Sequence, residues 1–251
     1  MDAKLRLVKN LLEKKSFRRK EQKFVVEGPH LVGDAIDSID FVIYTKDQPL
    51  LNQLLRKNIP CYKASQKEYN ELTGVETPQG ILAVVKEQSY QLNDVIKAGN
   101  PLVVFCIDVQ DPGNLGTIIR TADAVGASGV VLSKGTVDLY NPKVIRSTMG
   151  SLFHLPIVQD VEVEAAITFF KQHKIKLVAA DLTGEKSHFA LKYDCPLAVL
   201  VGNEGAGLSS EYSALCDEKV KIPMPGRAES LNVSVSTAVI LYEAVRQRLK
   251  G

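Results

Sequence analysis

Residues 196–210 read "PLAVLVGNEGAGLSS". Five apolar residues in a row, with no polar alternation, predict a strand buried on both faces. Such strands belong to a parallel sheet covered by helices. The run breaks at Gly202 into a glycine-rich turn. Gly202 and Gly207 stand at the spacing of a phosphate-binding loop, G-x-x-x-x-G-K-[ST], and Ser209 fills its last position. Leu208 sits where the lysine should be, and Glu204 lies inside the loop. A phosphate loop needs that lysine, and a carboxylate among the amides would repel phosphate. The turn therefore suits a ligand other than a polyphosphate, or serves tight packing alone.

Four more nearly unbroken apolar runs share residues 101–251: "PLVVFCIDV", "GVVLS", "KLVAADL" and "KVKIPM". They alternate with helical stretches, so an α/β domain with a parallel sheet is expected there. Ahead of it, "KFVVEG", "DFVIYT", "IPCYKA" and "GILAVVKE" alternate with short helical stretches in a smaller α/β unit. The expected division is a domain over 1–95, a linker over 96–101 ending in Gly99-Asn100-Pro101, and a domain over 102–251.

Ligands of open α/β sheets bind beyond the carboxyl ends of the strands, so three turns are candidates. The first is "DVQDPGNLGTIIRTADAVGASGVVL" at 108–132. Leu115, Ile118, Ile119, Ala122 and Val125 form the stripe facing the sheet, and Arg120 points the other way. Asn114 stands where an N-cap belongs, so capping competes with catalysis for it. An ion pair with Asp123 competes likewise for Arg120. The second turn is the one quoted above. The third follows Pro223 and Pro225 in "KIPMPGRAESLNVSVSTAVILYEAVRQRLKG". Its helix carries a predicted stripe of Ala238, Leu241, Tyr242, Val245 and Leu249, for core packing or a subunit interface.

Composition narrows the classes. Of 251 residues, 45% are hydrophobic and 24% charged, which is ordinary for a globular protein. The N-terminus mixes charges with apolar residues and lacks a signal peptide's apolar core. No apolar run approaches the ~20 residues of a membrane helix, so a cytoplasmic location is expected. Cys61, Cys106, Cys195 and Cys216, with His30, His154, His173 and His188, form no metal-ligand spacing. Net charge is only +2, but Lys4, Arg6, Lys9, Lys14, Lys15, Arg18, Arg19, Lys20 and Lys23 face only Asp2, Glu13 and Glu21 over residues 1–23. That run is a solvated face, or a phosphate-contacting patch with Phe17 available to stack on a base.

"NLGTIIRTADAVGASGVVL", "LVGNEGAGLS" and "IPMPGRAESLNVSVSTAVILYE" resemble, in order, the three motifs of the SpoU-type (TrmH-like) RNA ribose 2′-O-methyltransferases of the SPOUT superfamily. The likeness covers residues 100–251. The first ninety-odd residues resemble, more loosely, the RNA substrate-binding domain fused ahead of many family members, itself similar to a small ribosomal-protein fold. The resemblance implies a catalytic domain with a deep trefoil knot, a feature no topological rule would propose. It also implies a homodimer with active sites near the interface. Bound S-adenosylmethionine is implied too, a cation that a loop with Glu204 and no lysine accommodates.

Carried over by position, the catalytic residues are Asn114, Arg120, Glu204, Ser230 and Asn232. Cofactor contacts fall on Thr183, Leu200, Gly202, Asn203, Gly207, Ile222, Met224 and Leu231. Lys14, Lys15, Phe17, Arg18, Arg19 and Lys20 become candidate RNA contacts. The expected activity is S-adenosylmethionine-dependent methylation of a ribose 2′-hydroxyl in ribosomal RNA, of the large subunit, without a metal and without DNA or membrane as partner. Transfer RNA as substrate, a non-catalytic ribosome assembly factor and a nucleotide-dependent enzyme are the alternatives. Leu208 and the lack of a Mg²⁺ ligand set disfavour the last.

Overall fold

The computed structural model describes residues 2–73, 78–97 and 99–249, in two compact units. The first comprises residues 1–88 and 140–153. Its elements are α1 (Asp2–Glu13), α2 (Lys15–Glu21), β1 (Lys23–Glu27), α3 (Pro29–Asp34), β2 (Ile39–Tyr44), α4 (Pro49–Arg56), β3 (Cys61–Lys63), α5 (Gln66–Asn70) and β4 (Ile81–Lys86). The strands order as β1-β4-β2-β3. β4 runs antiparallel to both neighbours, and β3 is parallel to β2. Val8 and Leu11 of α1 bury against Val25, Phe41, Ile43, Leu82 and Val84 of the sheet, with Tyr69 of α5. This matches the predicted strand–helix alternation.

Two details of this unit correct the expected RNA patch. Arg18 is 4% exposed, and its guanidinium donates to the carbonyls of Leu11 (2.7 Å) and Leu12 (3.3 Å). The last carbonyls of a helix lack intrahelical donors, so Arg18 closes the end of α1 and is withdrawn from solvent. Phe17 packs against the same core. Lys14, Lys15, Arg19 and Lys20 remain exposed.

The second unit comprises residues 89–139 and 154–251. Its elements are β5 (Leu102–Cys106), α6 (Pro112–Ala124), β6 (Gly129–Ser133), β7 (Ile157–Val161), α8 (Val163–Gln172), β8 (Lys176–Ala180), β9 (Lys186–Ser187), β10 (Leu197–Val201), α9 (Ser210–Ala214), β11 (Glu218–Lys221) and α10 (Val233–Arg248). The helix α7 (Pro142–Thr148) lies in the first unit. Seven strands, all parallel, order as β7-β6-β5-β10-β8-β11-β9. Every residue of β5, β6 and β10 is buried, as their unbroken apolar runs predict.

Three expectations shift. Leu92–Ile96 forms a 3-10 turn on the second unit, where Val95 is fully buried with Val103, Val131 and Phe170. The division therefore falls after residue 88 rather than at 95, and Ala98 of the expected linker lies outside the described residues. Residues 140–153 belong to the first unit, where Tyr140 stacks on Phe24 with ring centroids 4.4 Å apart. Finally, α10 buries Ser234, Thr237, Ile240, Leu241 and Ala244. Of its predicted stripe only Leu241 is buried, while Tyr242 is 54% and Leu249 82% exposed.

Candidate active site

The strand order brings the three candidate turns together, because β5, β10 and β11 all point their carboxyl ends the same way. Local chemistry then fixes each turn. Asp111, not Asn114, caps α6: its carboxylate accepts from the Asn114 amide at 2.9 Å, with Pro112 in the first turn. Proline suits that position, since its missing N–H has no intrahelical partner there. The Asn114 side chain is thereby released for other contacts. Its Nδ2 donates to Glu204 Oε1 at 3.1 Å, and its Oδ1 accepts from Asn232 Nδ2 at 2.8 Å. Asn232 caps α10, with Oδ1 accepting from the Ser234 amide at 2.8 Å.

Glu204 also accepts from the amides of Gln110 (3.0 Å) and Asp111 (2.9 Å). Burial pushes its carboxyl pKa up, but the bonds from Asn114, Gln110 and Asp111 outweigh burial and hold it below the usual range. Glu204 is thus an ionised staple between the glycine turn and the start of α6. Asn203 adds a second staple. Its Nδ2 donates to the Asp108 carbonyl at 3.0 Å, while its Oδ1 accepts from the amides of Gly205 and Ala206. Backbone bonds Asn203 N to Gly207 O (3.0 Å) and Gly207 N to Asn203 O (2.9 Å) close the turn. A Cβ on Gly202 would lie 2.2 Å from Gly207 backbone atoms, so only glycine fits there.

A cleft of about 300 Å³ opens between the glycine turn and the third turn. Six of the eight expected cofactor residues line it: Gly202, Asn203, Gly207, Ile222, Met224 and Leu231. Two do not. Leu200 is fully buried in the sheet core, and Thr183 hydrogen-bonds Asp181 beside the cleft. Ser230 and Glu204 line the cleft, and Asn114 and Asn232 are bonded to its wall. Arg120 is exposed on α6 and bonds none of these residues. Asp123, the alternative partner weighed for it, hydrogen-bonds His154 Nδ1 at 2.8 Å instead.

Sequence reasoning missed Gln110 and Asp111, whose contribution is made by backbone amides that no side-chain pattern reveals. It also missed Asp181, a cleft residue whose carboxylate accepts from Ser213 and Thr183. Burial raises the Asp181 pKa, and these bonds more than offset the rise.

The donor set fits S-adenosylmethionine. Apolar Leu182, Ile222, Met224 and Leu231 with glycine backbone offer a bed for an adenine and a thioether chain. Asp181, Glu204 and Glu229 outnumber Lys221 in the lining, which gives the cleft the sign that a sulfonium prefers. Among the described residues no group of three His, Cys, Asp or Glu side chains is placed to hold a metal.

The SpoU rRNA Methylase family matches residues 101–242, and the MRM3-like substrate binding domain matches residues 2–83. The 23S rRNA (guanosine(2553)-2′-O)-methyltransferase RlmP of Bacillus subtilis is 38% identical over 234 residues, 92% of each chain. The crystal structure of the SpoU methyltransferase AviRb from Streptomyces viridochromogenes with the cofactor AdoMet superposes with a TM-score of 0.91 at 32% identity, covering 99% of this chain and 100% of that one. An AdoMet-bound rRNA methyltransferase from Sinorhizobium meliloti gives 0.89 at 33% identity, over 96% of this chain and 94% of that one. With its two units accounted for and its three motif turns gathered at one end of the sheet, the chain belongs to the SpoU rRNA methylase family.

Proposed function

We propose that this protein methylates a ribose 2′-hydroxyl of ribosomal RNA, in the large subunit, using S-adenosylmethionine. The observation that carries the reading is the hydrogen-bonded chain Glu204–Asn114–Asn232, which ties all three turns into one rigid wall beside the cleft. The bound cofactor supplies an electrophilic methyl group on a sulfonium with a good leaving group. What the protein must add is alignment of the hydroxyl, whose proton passes to solvent as the methyl group is transferred; alignment of two substrates is worth up to roughly 7–11 kcal/mol. Gly202, Asn203, Gly207, Ile222, Met224 and Leu231 hold the cofactor. Ser230 and Asn232 orient the ribose. Asn114 and Glu204 keep those groups in place.

Arg120 serves as the phosphate clamp that polarises the 2′-hydroxyl. Its guanidinium has no partner among the described residues and is exposed, which leaves its five donors to the RNA. Lys14, Lys15, Arg19 and Lys20 add phosphate contacts from the first unit.

The protein works in the cytoplasm as a homodimer with the knotted chain path of its family. The exposed apolar face of α10, with Val235 (48% exposed), Tyr242 and Leu249, supports the dimer. Sedimentation tests it: the wild-type chain runs as a dimer and Tyr242→Glu shifts toward monomer. A monomeric wild type at micromolar concentration contradicts it. Calorimetry tests the cofactor: S-adenosylmethionine binds and ATP does not. Heat from ATP alone would contradict the reading.

A further inference from the structure

The first unit holds a separate cavity of about 350 Å³. Glu27, the last residue of β1, lies in its lining, and its carboxylate accepts from Tyr69 Oη at 3.2 Å and Thr73 Oγ1 at 2.9 and 2.8 Å. Burial, then the nearby Glu27 charge, pushes the Tyr69 phenol pKa up, so its proton stays on and donates. Two hydroxyls carry two hydrogens, whereas an ionised carboxylate offers about four acceptor positions. Two positions remain for donors entering from the cavity.

One part of the wall is apolar: Val25, Leu72 and Ile145 are buried, with Leu12 and Pro142 beside them. Lys9 and Arg146 are exposed at the rim and pair with no described residue, although Glu13 and Glu71 line the same cavity. An apolar ring face suits those side chains, two adjacent N–H groups suit the carboxylate, and flanking phosphates suit the two cations.

We propose that this cavity takes an unstacked guanine of the RNA substrate, with its N1–H and N2–H donating to Glu27. Guanine is the RNA base with two adjacent donors on its Watson–Crick edge. Adenine and cytosine set one amino group beside an acceptor, and uracil flanks its N–H with carbonyl oxygens that a carboxylate repels. Base-edge recognition of splayed single-stranded nucleotides is the usual route to RNA sequence specificity. The inference rests on RNA being the substrate and is independent of the methyl-transfer step.

Fluorescence anisotropy with 5′-fluorescein RNA heptamers tests it without cofactor. The full chain binds UUUGUUU about tenfold more tightly than UUUAUUU or the inosine heptamer UUUIUUU, which lacks the N2 amine. Glu27→Gln brings the three within about twofold while leaving UUUAUUU affinity unchanged. Equal affinity of wild type for all three, a comparison that needs no variant to fold, overturns the guanine pocket and leaves the RNA reading standing. A preference retained in Glu27→Gln also overturns it. Failure of every heptamer to bind removes both.

Discussion

Asn114 lies between Asn232 and Glu204, accepting from one at 2.8 Å and donating to the other at 3.1 Å. One amide group therefore joins the start of α10 to the glycine turn. Asn114→Ala breaks both bonds and lets the two turns move independently. Small misplacements of a reacting group can lower turnover by ~10²-fold, and that loss is expected here. Tm is expected to stay within a few degrees, because α6 keeps its Asp111 cap. Methylation kinetics with thermal melts check both; unchanged turnover would remove the bridge from the mechanism.

Arg120→Ala abolishes turnover while cofactor affinity stays within about twofold, since Arg120 does not line the cleft. Arg120→Lys fails to rescue, because an ammonium cannot hold a phosphate bidentately. Single-turnover methylation and calorimetry on the same preparations give the answer. Normal methylation by either variant would contradict the clamp.

Within the basic run, Arg18 and its neighbours separate. Arg18→Ala uncovers the carbonyls closing α1 and costs about 1–3 kcal/mol of stability, measured by urea unfolding. Lys15→Ala and Lys20→Ala leave stability unchanged and each lower the salt slope of RNA binding by about 0.7. The opposite pattern would return Arg18 to the RNA surface.

Gly202→Ala drives a methyl group into the backbone of Gly207 and Leu208, at 2.2–2.3 Å. Backbone cannot step aside as a flexible side chain does, so the turn opens and S-adenosylmethionine affinity drops at least tenfold. Calorimetry reads this; wild-type affinity would mean the turn has another shape.

The Glu204 carboxyl sits below its usual range in the folded chain. Its bonds therefore stabilise fully above the unfolded carboxyl pKa of about 4.3, and that part is lost as pH falls through the lower folded value. Cofactor affinity holds from neutral pH to about 5 and weakens below 4, with the weakening reduced in Glu204→Gln. Calorimetry across that range checks the sign; weakening above pH 6 would point to another group.

Much of this was legible in the sequence. Unbroken apolar runs identified the buried parallel strands, and Leu208 and Glu204 in "VGNEGAGLSS" disfavour a phosphate loop. The departures have physical causes. Two consecutive helix-start signals, Asp111-Pro112 and Asn114, compete, and the aspartate before proline prevails, which turns Asn114 from a cap into a bridge. The α10 helix is apolar on two faces, so periodicity does not say which is buried. Arg18 looks like any cation of "KKSFRRK" until α2 folds back beneath α1. Nothing local in residues 140–153 announces that they pack with Phe24, far away in sequence.

Methylation of a ribose 2′-oxygen at the three turns is tested most directly on the RNA itself. Purified protein is incubated with methyl-tritiated S-adenosylmethionine and unmodified large-subunit rRNA, and the RNA is then hydrolysed in alkali. A methylated 2′-oxygen blocks cleavage of its phosphodiester, so label is expected in alkali-resistant dinucleotides. Label confined to mononucleotides, or no label with folded protein, would contradict it.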